Sequence, residues 1–150
     1  MEFFTELPPK RVNNMIPLIC IYTGGILHIV MTFFHTRFFK MFGWKEEFKK
    51  LSLVNARILY TIHIALLLLF AGIGFTSIVY AEQLSRSLGL AAGINWFLSV
   101  FWLWRLIWQL FYFKRQKGQK LPAISIILSI IFLLLFVSYL IPFLYRIIYS

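Results

Sequence analysis

The sequence predicts an all-α integral membrane protein, a four-transmembrane-helix bundle with its N- and C-termini outside. Three observations predict it. Hydrophobic residues make up 61% of the 150 and charged residues 13%, against about 45–50% and about 25% in soluble domains, and mean hydropathy is +0.82. Four apolar runs each reach the ~20 residues that cross a hydrocarbon core of ~30 Å. Cations gather in alternate connections between those runs, which orients the chain. Backbone polar groups in lipid need internal partners and no alternating barrel strands occur, so the runs are read as helices.

The first span covers residues 15–35. It is too long for a cleaved signal, Lys10 and Arg11 lie near Glu2 and Glu6, and no small-residue cleavage pattern follows, so a retained helix is expected. Gly24 and Gly25 inside it suit close helix contacts. In the connection that follows, Trp44, Phe48 and Leu51 recur at helical spacing, and Glu46 stands four residues before Lys50. A short amphipathic helix is expected there, lying in the headgroup layer with its aromatics dipped inward.

The second span covers residues 58–80. The third, residues 88–113, is long enough to tilt or protrude. The fourth covers residues 121–145. Pro142 within it removes the donor that would reach the Ser138 carbonyl, which predicts a kink or an end. Its Ser125, Ser129, Phe132, Phe136 and Tyr139 share a face suited to helix packing. The spans occupy roughly two-thirds of the chain and form one domain.

Arg37, Lys40, Lys45, Lys49, Lys50 and Arg57 lie in the first connection, and Lys114, Arg115, Lys117 and Lys120 in the third. Only Lys10, Arg11, Arg86 and Arg146 lie on the other side. Positive residues favour the cytoplasm, so both termini face outward and the basic connections meet the anionic leaflet. The cell membrane is the expected location, an organellar inner membrane the alternative. A net charge of +10 would suggest nucleic acid in a soluble chain. In two juxtamembrane groups it points to membrane lipids, and no nucleic-acid partner is expected.

Polar groups inside the spans are costly in lipid and mark the interior. Gly24, Gly25, His28, Thr32 and His35 share one face of the first span; Tyr60, His63, Gly74 and Ser77 one face of the second; and Asn95, Ser99, Trp102 and Gln109 one face of the third, with Arg105 at its edge. At ~1.5 Å per residue from the cytoplasmic ends, His28 and Arg105 lie about 13 Å deep and His63 about 9 Å, with His35 nearly at the surface. One layer holding His28, His63 and Arg105 is therefore expected. Arg105 stays charged and needs carbonyls, an anion or an aromatic face, and Trp102 and Trp108 flank it at helical spacing.

The absences exclude more. There is no Asp, and all five Glu lie outside the spans, which removes carboxylate relays and di-iron centres. One Cys and three His remove redox pairs and multi-ligand metal sites. The leading expectation is a non-catalytic multi-pass membrane protein. It is either an accessory or assembly subunit, alone as a homo-oligomer or with a partner membrane protein, or a binder of an apolar ligand with an acidic head group. For that ligand the candidate residues are Arg105, His28, His63, Trp102, Gln109 and Asn95. The first alternative is an electron-transfer unit carrying haem b, with His28 and His63 as metal ligands, or a quinone. The second is a small transporter protomer completed by oligomerisation. The plainer reading of each histidine is a hydrogen bond to a neighbouring helix, and of Arg105 a structural cation reaching toward water.

Overall fold

The computed structural model describes residues 15–111 and 123–149. The N-terminal flank with Lys10 and Arg11, and the third connection with Lys114, Arg115, Lys117 and Lys120, lie outside the described residues. Among the described residues the elements are α1 (Met15–Thr36), α2 (Phe38–Met41), α3 (Trp44–Lys49), α4 (Leu53–Val79), α5 (Ala81–Arg86), α6 (Leu90–Phe111) and α7 (Ala123–Tyr149). The four long helices are each long and apolar enough to cross a membrane. Their outer surfaces are apolar: Phe33, Leu68, Phe75, Leu90 and Ile148 are all largely exposed. Water would penalise such a surface and hydrocarbon does not.

Two boundaries differ from the apolar runs, each for a physical reason. Helix α4 starts at Leu53 rather than 58, because Ser52 caps it: its Oγ accepts a hydrogen bond from the Asn55 N–H at 3.3 Å. Asn55 and Arg57 interrupt the apolar run that a hydropathy reading follows. Helix α7 does not end at Pro142 but continues to Tyr149. Pro142 is buried against neighbouring helices, and packing holds a membrane-type helix together across one missing bond.

The first and second connections contain short helices of their own. The short helix expected around Trp44 is α3, entered through Gly43 with a left-handed φ of 61°. Glu46 pairs with Lys49 at 2.9 Å, and Glu47 with Lys50 at 2.8 Å, three residues apart rather than the expected four. Helix α5 was not expected from the sequence. It buries Ala81, Leu84 and Ser85 and leaves through Ser87 in the left-handed region.

Among the long helices, packing runs α4 to α1, α1 to α7, and α7 to α6. The seam between α6 and α4 is the loose one, bridged by side chains such as Phe70 on Trp102, with ring centroids 5.8 Å apart. Glycine sets the tightest approach. A Cβ on Gly25 would stand 3.2 Å from the Gly74 carbonyl oxygen, and one on Gly74 would stand 3.1 Å from the Gly25 carbonyl oxygen. The backbones of α1 and α4 therefore touch at that crossing, as small residues permit in lipid. Ile21, Met31, Leu135, Tyr139 and Trp102 close the interior.

Candidate functional site

His28 sits at the centre of the interior, fully buried. Its Nδ1 lies 2.8 Å from the Gly24 carbonyl oxygen one turn back. A carbonyl only accepts, so we assign the proton to Nδ1, which donates to Gly24. The same nitrogen lies 3.3 Å from the Tyr139 hydroxyl, which lies 2.7 Å from Ser77 Oγ. With Nδ1 protonated, the Tyr139 hydroxyl donates to Ser77. Gly24 makes this possible, because a Cβ there would stand 3.0 Å from the Tyr139 ring. Helices α1, α4 and α7 are thus joined through one polar chain. Nε2 of His28 and Nε1 of Trp102 are buried without a hydrogen-bond partner, and their rings meet edge-on at 5.2 Å.

A second cluster lies toward the first connection. His35 stacks on His63 with centroids 5.7 Å apart and planes at 17°. Phe70 meets His35 edge-on at 5.2 Å, and Phe39 and Trp44 cover His63 at 4.8 and 5.3 Å. Arg105, half-buried on α6, lies within electrostatic reach of His35. Its guanidinium carbon stands 4.9 Å from the centroid of Phe132 on α7, an aromatic partner one helix away from the tryptophans expected from spacing. His35 Nδ1 is buried without a hydrogen-bond partner.

The expected layer of His28, His63 and Arg105 is therefore recomposed. His63 stacks on His35, with Arg105 in electrostatic range of it, and His28 lies deeper, on the far side of Phe70, which it meets at 6.1 Å. The early start of α4 explains it. His63 is ten residues from Leu53, so about 15 Å of α4 projects past the end of α1. Helices α2 and α3 pack along that projection, with Phe39 stacked on Tyr60 at 4.9 Å and Phe48 edge-on to Tyr60 at 5.0 Å.

Asn95 and Gln109 join neither cluster. The Nδ2 of Asn95 donates to the Leu84 carbonyl at 2.8 Å and to Ser87 Oγ at 3.1 Å, fastening α5 to α6. Gln109 Nε2 donates to Ser125 Oγ at 3.1 Å, tying α6 to α7. Trp102 lies between the clusters, stacked on Phe70 and Phe132. Sequence reasoning missed His35, set aside as superficial, and the part played by Ser77 and Tyr139. The polar stripe of the second span and the inner face of the fourth carried their signal.

The residues do not fit a haem held by His28 and His63. His28 has the Nδ1–H to carbonyl bond usual for a ligating imidazole, but its ring is enclosed edge-on by Trp102, Phe70 and Tyr139, and His63 lies flat on His35. Among the described residues no group of three His, Cys, Asp or Glu is placed to hold a metal ion. No protein-family model, curated protein or solved structure matches the chain.

Proposed function

We propose that the chain is a small, non-catalytic multi-pass membrane protein that binds an apolar ligand with an acidic head group. In this reading the head lies at His35, His63 and Arg105, the termini face outward, and the first connection rests on the anionic leaflet. The observation that carries it is one guanidinium, Arg105, at the end of the helices where the two imidazoles His35 and His63 stack, while the described acids are engaged by other cations or lie at the opposite end. Glu46 and Glu47 are engaged by Lys49 and Lys50, and Glu82 sits on α5 at the opposite end. A guanidinium held half out of water recognises a carboxylate or phosphate with two parallel hydrogen bonds. The buried, unpartnered Nδ1 of His35 offers a further polar contact to the same head.

The test is native mass spectrometry of the full chain released from membranes containing phosphatidic acid. A charge-assisted contact of about 1.5–3 kcal/mol corresponds to about 10–100-fold in affinity. Arg105→Gln is expected to lose the bound acidic lipid by that factor, while Lys40→Gln, on the exposed surface of α2, retains it. Equal retention by both variants refutes the reading.

A further inference from the structure

The loose seam between α4 and α6 opens into a groove of about 500 Å³ on the side of the second connection, within the ~300–1,000 Å³ usual for small-molecule sites. Leu69, Gly72 and Ile73 form one wall, and Gly93, Ile94 and Phe97 the other. The two glycines differ from those at the α1–α4 crossing: a Cβ on Gly72 or Gly93 would meet nothing within 4 Å. Glycine inside a helix costs about 1 kcal/mol relative to alanine, and here no close helix approach requires it. What both residues provide is room. The polar groups on the lining are the hydroxyls of Thr76 and Ser77, and that of Ser77 is bonded to Tyr139. The groove therefore suits hydrocarbon.

Part of the α6 wall lies in line with Arg105, while Gly93 and Phe97 stand about 120° and about 80° around the helix from it. At ~100° per residue, Ile94 and Leu98 fall within roughly 20° of Arg105 around the helix, and about 16 and 10 Å from it along the axis. Half of a ~30 Å hydrocarbon core is about 15 Å, so a lipid chain whose head sits at Arg105 reaches the groove. We propose that the α4–α6 seam seats the hydrocarbon chain of an acidic-headed membrane lipid, with its head at Arg105 and its chain between Gly72 and Gly93. The choice of lipid rests on the head-group reading above. The Arg105 guanidinium selects the acid, and the groove selects the chain.

The experiment uses the full chain in phosphatidylcholine nanodiscs with one of two photoactivatable probes sharing the same sixteen-carbon chains, a phosphatidic acid and a neutral diacylglycerol. Cross-linked peptides are mapped in the native chain, Gly93→Leu, Gly72→Leu and Arg105→Gln, after matched thermal unfolding midpoints confirm folding. The acidic probe is expected to label the groove segments of α4 and α6. Either leucine, grown into open space from opposite walls, reduces that labelling at least fivefold, and Arg105→Gln reduces it for the acidic probe alone. Labelling unchanged in both leucine variants, or spread evenly onto Leu68 and Phe75, overturns the groove. Equal labelling by both probes, indifferent to Arg105→Gln, overturns the acidic head and leaves the groove as a chain site.

Discussion

Two glycines on α4, two residues apart, should respond to the same substitution with opposite signs. Gly74 faces α1, where an added Cβ would stand 2.8 Å from Ile29 Cδ1 and 3.1 Å from the Gly25 carbonyl oxygen. The isoleucine tip can swing away; the backbone oxygen moves only if the helices separate. Overpacking of this kind costs about 1–3 kcal/mol, offset by about 1 kcal/mol of helix propensity gained on leaving glycine. Gly74→Ala is therefore expected to cost about 1 kcal/mol net. At Gly72 the added methyl meets nothing within 4 Å, so Gly72→Ala keeps the propensity gain and stabilises by up to about 1 kcal/mol. The measurement is reversible unfolding of the full chain in mixed micelles on raising the denaturing detergent fraction, followed by tryptophan fluorescence. The double variant Gly25→Ala/Gly74→Ala should cost less than the sum of its parts, because one outward shift of α1 relieves both contacts. Equal destabilisation by Gly72→Ala and Gly74→Ala would refute the close crossing.

Three further outcomes follow from the same contacts. Tyr139→Phe removes the hydroxyl between His28 and Ser77 and should cost about 0.6–1.7 kcal/mol, the range for hydrogen bonds between membrane helices, in the same unfolding assay. Asn95→Ala removes the side-chain donor to the Leu84 carbonyl, which keeps the Ser87 N–H; a cost of about 0.5–1.5 kcal/mol should appear with faster amide exchange confined to α5 and the start of α6. A tag placed in the first connection should be reachable by an impermeant reagent only after cells are opened, and labelling in intact cells would reverse the proposed orientation.

The long helices were legible because run length against bilayer thickness is a one-dimensional property. So were most of their inward faces: Gly24, Gly25 and His28 on α1, His63, Gly74 and Ser77 on α4, and Asn95, Ser99, Trp102 and Gln109 on α6 are all buried, whereas Tyr60, expected on the same face of α4, is exposed beyond the end of α1. Helical period fixes which side of a helix a residue occupies, and lipid penalises the wrong side. It does not fix how far one helix slides past another. That offset is set by the Gly25–Gly74 crossing and by the packing of Phe39 and Phe48 against Tyr60, contacts between segments that no single period relates. His63 therefore acquired His35 as its neighbour in place of His28. Arg105 found Phe132 for a similar reason, because flanking tryptophans on the same helix are visible in the sequence and a ring on α7 is not.

The interhelical hydrogen bonds also differ widely in the length of chain they close. Asn95 reaches Leu84 and Ser87 across 11 and 8 residues, so α5 and α6 can lock as soon as both are made. His28 and Tyr139 are separated by 111 residues, and contacts so distant in sequence form late. Until α7 arrives, the notch at Gly24 stands open, and Ser77 lacks the hydroxyl that later bonds it. Helix α7 is thus the one that seals the interior, and without it His28 and Ser77 would lose the Tyr139 hydroxyl that joins them.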